Sequence, residues 1–269
     1  MRYFHLLSAV LMIVILIYAF FINSHQNTPS TLCSISSDSQ VFTLDWGLIT
    51  LQKVSEVKNV SLVKFSVDSQ GRTNITVKNV TAKVPIVVLS ACSRDRKFLW
   101  RVEFTSYIWV YEDNYRKENG TAVPSVLITH TDSYLYALVY QTAPHTIQDF
   151  RVEAPNDYLY ILGENGTVKA IDLGSNVVPI RNVFLTSNGD YVLVGFEKPQ
   201  LDGSPGSGEV IILNRTEVIF RKSFFMKDPS CLCYIIPGWG RINRNGCAVF
   251  GLYNGRGEYC NGEFTYKES

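Results

Sequence analysis

From Val41 onward the sequence predicts an antiparallel all-β domain, and three observations carry that reading. Short β-branched and aromatic runs follow one another at 8–14-residue spacing. Turn residues such as Ser69-Gln70-Gly71, Glu164-Asn165-Gly166, Ser187-Asn188-Gly189 and Asn254-Gly255 separate them. Hardly a stretch of this region carries the apolar period of a helix. The first 40 residues read differently.

Leu6–Ile22 (LLSAVLMIVILIYAFFI) is 17 residues without a charge, broken only by Ser8. As a helix at about 1.5 Å per residue it would span about 25 Å, the short end of a membrane crossing. Arg2 lies before it, and no Lys or Arg follows until Lys53. The positive-inside rule then keeps the N-terminus in the cytoplasm and exports the rest. A cleaved signal peptide would have a core of about 7–15 residues and an A-x-A-like site. Here only Ile22 and Ser24 could serve as the pair before a cut, so a retained anchor is expected. The organisation follows: residues 1–5 a cytoplasmic tip, 6–22 a transmembrane signal-anchor, 23–40 a polar stalk with Pro29, and 41–269 an extracytoplasmic domain.

Within the domain the first expected strands are Gly47–Val54, Ser61–Val67, Asn74–Val80, Pro85–Ala91, Lys97–Phe104, Ser106–Tyr111, Ser125–Thr129 and Ser133–Tyr140. Each is rich in Val, Ile, Leu, Thr or aromatics, which fit a pleated, half-buried surface. Thr146–Glu153, Asp157–Leu162, Thr167–Leu173, Val177–Leu185, Asp190–Phe196, Glu209–Leu213, Val218–Phe224, Cys233–Ile236, Cys247–Tyr253 and Glu258–Phe264 continue the series.

Two features agree with export. Asn59, Asn74, Asn79, Asn119, Asn165 and Asn214 each open an N-x-S/T triplet without Pro, six where the composition gives about 2.5 by chance. All six follow the apolar run, where glycosylation machinery would reach them. The six cysteines, Cys33, Cys92, Cys231, Cys233, Cys247 and Cys260, are even in number and also on the exported side. Disulfides are their expected state in an oxidising compartment. Zinc is the sharper alternative for the last four, but a structural site usually has two C-x₂₋₄-C knuckles and this stretch has one tight C-x-C pair. A hairpin about Asn254–Gly257 would place Cys260 opposite Gly251 and Cys247 out of its reach. On that geometry Cys231 and Cys233 each bond Cys247 or Cys260, and Cys33 is left for Cys92.

Net charge is +1 with 18% charged residues, so nucleic acid has no electrostatic footprint to meet. No G-x-S-x-G elbow, Walker loop or EF-hand spacing occurs. His130 and Asp132 share one side of a strand end, with His145 a strand away, and could hold a proton or a metal. A bare loop histidine is the plainer reading. Glu112, Asp113 and Glu118 could form a cation loop, or simply be solvated turn carboxylates. The sequence assigns no catalytic, cofactor or metal residue.

Two central units align. Asp157-Tyr-Leu-Tyr-Ile-Leu-Gly-Glu runs through Asn165-Gly166 into Thr167-Val-Lys-Ala-Ile-Asp-Leu, and Asp190-Tyr-Val-Leu-Val-Gly-Phe-Glu runs through Gly206-Ser-Gly into Glu209-Val-Ile-Ile-Leu-Asn. Gly246-Cys-Ala-Val-Phe-Gly-Leu-Tyr-Asn-Gly is a third copy, and Lys97–Phe104 has the look of an outer strand. With Ser187-Asn-Gly-Asp-Tyr-Val and Gly208-Glu-Val-Ile, the stretch 150–224 resembles the quinoprotein-like and WD-repeat-like blades of the β-propeller superfamily. That resemblance implies about five blades of about 40–45 residues. The alternative is β-sandwich packing.

Tyr107, Trp109, Tyr111, Tyr134, Tyr136, Tyr158 and Tyr160 recur at period two, each set on one side of its strand. They would either pack between blades or offer a partner surface. The expected protein is thus a single-pass, glycosylated, disulfide-stabilised surface protein that binds or scaffolds. Its partners would be the membrane, through the N-terminal helix, and a protein or glycan at the cell surface. The competing classes are a surface quinoprotein-like or hydrolytic enzyme and a surface-layer or filament subunit.

Overall fold

The computed structural model of the chain describes residues 36–141, 157–174, 180–198, 206–225 and 235–268, apart from 71, 116 and 237. The apolar run 6–22, the stalk up to residue 35, Cys33, Cys231, Cys233 and His145 lie outside them. Among the described residues there is no helix, and so none long and apolar enough to cross a membrane.

Eighteen strands among the described residues form four sheets. The first holds β1 (Gln40–Leu44), β2 (Gly47–Val67), β3 (Thr73–Ser93), β4 (Phe98–Thr105), β5 (Tyr107–Glu112) and β6 (Lys117–Ala122). The second holds β7 (Pro124–His130), β8 (Leu135–Gln141), β9 (Tyr158–Gly163) and β10 (Gly166–Asp172). The third comprises β11 (Arg181–Asn188), β12 (Tyr191–Lys198), β13 (Ser207–Asn214) and β14 (Glu217–Phe225). The fourth comprises β15 (Gly240–Ile242), β16 (Ala248–Leu252), β17 (Gly255–Cys260) and β18 (Glu263–Glu268). The last three are plain meanders, and β1 to β4 pair in the same consecutive way. None of the four sheets closes on itself.

The all-β expectation holds, but the strands differ from it. β1, β6 and β15 are additional to the expected series, and a turn at Asn261-Gly262 divides the expected Glu258–Phe264. Ile235 and Ile236 lie outside any strand, and the expected Thr146–Glu153 lies outside the described residues. Gly47–Val54 and Ser61–Val67 are one strand of 21 residues, as are Asn74–Val80 and Pro85–Ala91. The residues between each pair, Ser55–Val60 and Thr81–Val84, are largely polar, but the backbone ladder continues through them where the apolar run fades. The resulting β2–β3 arm is also where the antiparallel rule breaks. The stretch Leu62–Ser66 of β2 pairs in parallel with Ile108–Glu112 of β5.

Three shared cores join the sheets in chain order. Leu44, Ile49, Val87 and Leu89 of the first sheet pack on Leu135, Ala137 and Leu162 of the second. Tyr136, Leu138, Leu159 and Ile161 meet Val192, Val194, Phe196 and Ile211 of the third. Phe184, Leu193, Val210 and Ile212 meet Ile242, Ala248, Phe250 and Tyr259 of the fourth. The third sheet is therefore covered on both faces. This explains why six consecutive residues of β12 and six of β13 are buried, the apolar Val192–Val194 and Val210–Leu213 together with Glu197 and Glu209.

Each end sheet also carries ion pairs on the face turned away from its shared core, in the first sheet beside the buried cluster of Val60, Val84, Ile86 and Val88. On the first, Glu56, Lys58, Glu103 and Arg101 close a ring of four ion pairs at 2.6–3.1 Å, on the face that carries Val84, Ile86 and Val88. The Arg101 guanidinium and the Lys58 ammonium hold the Glu56 carboxyl below the ordinary carboxylate range. The Glu103 and Glu56 carboxylates raise Lys58. On the fourth, Arg256 and Lys267 flank Glu258 at 2.9 and 2.7 Å. No apolar cluster of the described residues joins the fourth sheet to the first.

Buried carboxylates fix the entry to the third and fourth sheets. Asp157, at the start of β9, accepts the Ile180 N–H at 3.1 Å. Glu197, at the end of β12, accepts the Ile236 N–H at 2.9 Å. Both isoleucines then enter the next core. At the other rim, Ser187 donates to His130 O at 2.8 Å and Asn188 to Ile242 O at 3.2 Å. The Trp46 indole donates to Ser133 O at 2.9 Å. These bonds hook neighbouring turns together.

Candidate functional site

A concavity lies between β14 and the fourth sheet. It is a groove of about 270 Å³. Its floor follows from period-two placement. Phe220, Lys222 and Phe224 lie on one face of β14, and Phe264, Tyr266 and Glu268 on one face of β18. Opposite Tyr266 and Glu268 in the ladder stand Gly257 and Gly255 of β17. A side chain at Gly257 would run into the Phe250 and Phe264 rings. Its absence lets those rings stack across β17 at 6.1 Å and 15°. The Phe224 ring meets both, at 5.8 and 5.6 Å.

Leu252, Tyr253 and Asn254 line the groove from the β16–β17 turn, and Ile235 and Phe225 complete it. Phe225 is 69% exposed, Tyr266 47% and Tyr253 40%, although all three are large aromatic groups. The Lys222 ammonium sits 4.0 Å from the Phe264 centroid, held by the ring's negative face. With Glu268 and the Asn254 amide it gives an aromatic trough one cation, one carboxylate and one amide. Such a trough can stack a flat or partly apolar group and hydrogen-bond its rim.

The sequence reading did not find this groove. Its aromatic residues belong to three strands that the chain separates by up to about 40 positions, and only the register of β17 on β18 brings them together. A usable signal was present in Phe220/Phe224 and Phe264/Tyr266, same-face aromatic pairs on their strands.

The aromatics singled out from sequence serve packing. Tyr136 is fully buried in the core between the second and third sheets, and its hydroxyl donates to Arg215 O at 2.9 Å. Burial pushes its phenol up to about 12. Tyr160 lies 5.2 Å from Phe104 across the first interface and 5.7 Å from Tyr158. Tyr134 packs against the second core from its edge. Tyr107, Trp109 and Tyr111 are buried with Val63 and Phe65 on one face of the arm, and burial pushes Tyr107 up to about 12. Trp109 lies across Gly120, where a Cβ would meet its ring, so this glycine is a packing requirement.

The candidate acid and metal groups have ordinary partners. His130 sits edge-on to Phe42 at 6.3 Å, with its ring Nδ1 3.3 Å from Thr131 O. Asp113 accepts the Tyr111 hydroxyl at 2.7 Å and the Tyr115 N–H at 2.8 Å. Glu112 pairs with Lys64 at 2.6 Å and Lys117 at 3.6 Å, and Lys64 and Lys117 lower its carboxyl below the ordinary range. Among the described residues no three His, Cys, Asp or Glu side chains are placed to hold a metal. The five asparagines Asn59, Asn74, Asn79, Asn119 and Asn165 are exposed or partly so, and Asn214 is half-buried.

The cysteine pairing expected from the sequence is corrected. Cys247 bonds Cys260, with Cα atoms 4.3 Å apart. The hairpin turns at Tyr253-Asn254, since Leu252 pairs with Gly255, and not about Asn254–Gly257. Ala248 therefore faces Tyr259, and one step further the ladder sets Cys247 opposite Cys260. Gly255 and Gly257, read as turn formers, are strand residues that allow close approach. Cys231 and Cys233 cannot then bond either of these two. Cys92 is also in a disulfide, with a partner outside the described residues.

Set against family models, curated proteins and solved structures, the chain matches none.

Proposed function

We propose that this chain is a membrane-anchored, extracytoplasmic glycoprotein whose β domain binds or scaffolds a partner at the cell surface without catalysis. The observation that carries the binding reading is the groove beside β14, which leaves Phe225, Tyr253 and Tyr266 open to solvent. Exposed aromatic groups gathered in a concavity are the usual anchors of a partner segment or glycan. Export is supported by the charge-free run 6–22, the accessible sequon asparagines, and disulfides at every described cysteine.

In the same reading the four consecutive meanders are blades of a propeller-like fan, four rather than five. Support comes from β11, which lies against both β7 and β15, the first strands of the neighbouring meanders.

Two measurements test the proposal. A reporter fused after Ser269 should be accessible outside intact cells; protection there would overturn the orientation. A photo-reactive residue in place of Phe225 in the full chain should yield a discrete adduct that Tyr266→Ala diminishes. No adduct, or the same adducts from a label at exposed Arg72, would remove the groove from the account.

A further inference from the structure

Among the described residues the β2–β3 arm has long strand edges with no strand beside them. Among the described residues β4 covers only Ile86–Cys92 of β3, so Thr73–Pro85 has no strand on that side. At about 3.4 Å per residue this open edge runs about 44 Å. On the opposite side of the arm, β1 ends at Leu51 of β2 and β5 begins at Leu62, which leaves Gln52–Ser61 open. Beyond β5, β6 is the outermost strand of the sheet. Such edges present free N–H and C=O groups to any other chain, and these are rich in Val and Thr, with Val57 66% and Val77 57% exposed.

Four of the six sequons fall on these stretches. Asn59 lies on the open part of β2, Asn74 and Asn79 on the open part of β3, and Asn119 on β6. Their register distributes them around the arm. Asn59 stands opposite Thr81 and Asn79 opposite Ser61, so both asparagines project from one face, diagonal to each other. Asn74, five positions before Asn79, projects from the other face. The same edge carries Lys78, Lys83 and Pro85, residue types that discourage strand addition. We propose that N-linked glycans on Asn59, Asn74, Asn79 and Asn119 shield these edges and keep the arm from pairing with another copy of the chain. This rests on the exported-glycoprotein reading above and gives the sugars a structural role, because a hydrated, branched group at the edge excludes an approaching strand from both faces.

The test uses the full chain from a glycosylating host, mapped by glycopeptide mass and then treated with an endoglycosidase after folding. Sugar is expected at the four arm positions. Its removal should shift the detergent-solubilised protein to larger assemblies in light scattering, with its circular dichroism unchanged. The combined Thr76→Ala and Thr81→Ala variant, which keeps both asparagines, should shift likewise, whereas Asn165→Gln should not. Sugar at Asn165 with none on the arm would overturn the shielding while leaving export intact. So would full deglycosylation with no change in assembly state. No sugar at any asparagine would overturn both.

Discussion

Replacing Glu197 separates two roles that the structure gives one side chain. Its carboxylate is 3% exposed, accepts the Ile236 N–H at 2.9 Å, and meets the Arg181 guanidinium at 3.3 Å. Arg181 is 61% exposed, so that ion pair is screened and contributes about 0–1 kcal/mol. The Ile236 N–H has no such recourse to water. Leaving it unpaired costs about 1–3 kcal/mol, to which truncation adds the lost packing of one methylene at about 0.8 kcal/mol. Glu197→Gln keeps an acceptor and should cost about 1 kcal/mol or less. Glu197→Ala should cost about 2–4 kcal/mol, which for a chain of this size lowers the melting temperature by roughly 4–16 °C. Urea titration of both variants, with the slope compared to wild type, measures the difference. If Gln loses as much as Ala, the charge pair governs the site, and backbone capture is the wrong account of why the carboxylate is buried.

Other perturbations address other parts of the molecule. Non-reducing peptide mapping should recover a Cys247–Cys260 peptide, and Cys260→Ser should destabilise by about 3 kcal/mol in denaturant titration, given the short loop closed. Glu56 is held below its ordinary value of 4.5, so its stabilising contribution exists above that pH and fades as pH falls through the lower folded value. Glu56→Gln should therefore flatten the acid limb of stability against pH, and an unchanged limb would refute the ring of ion pairs. Tyr107 and Tyr136 are raised by burial from 10.0 to about 12, so stability should decline between those pH values. Ultraviolet titration should show at least two tyrosines ionising late, fewer by one in Tyr107→Phe. Gly257→Val, which drives a side chain into the Phe250–Phe264 stack, should cost about 1–3 kcal/mol and abolish cross-linking from position 225.

Much of the strand content was legible because its cause is local. Asp157–Leu162, Asp190–Phe196 and Glu209–Leu213 are bounded by turn residues and carry enough β-branched side chains to fix their state. The arm reads as four short strands because Lys58, Asn59, Thr81 and Lys83 interrupt its apolar residues; a ladder needs only backbone groups to continue through them. The groove and the Cys247–Cys260 bond were hidden for a related reason. Both depend on whether the β16–β17 hairpin turns at Tyr253-Asn254 or a little later, and Gly255 and Gly257 satisfy either choice locally. Packing on Phe264 decides it, and that contact belongs to another strand. The parallel pairing of β5 on β2 carries no local signature at all.

The third sheet, covered on both sides, implies a graded response to solvent. Backbone amides of β12 and β13 can meet deuterium only when two interfaces have parted, whereas those of β15, β18 or the arm's open edges need at most one. Exchange should thus proceed from the ends of the stack inward, and a protease that nicks the outer strands would leave the middle pair of sheets as the last protected remnant. The polypeptide would come apart as a closed book does, covers before centre pages.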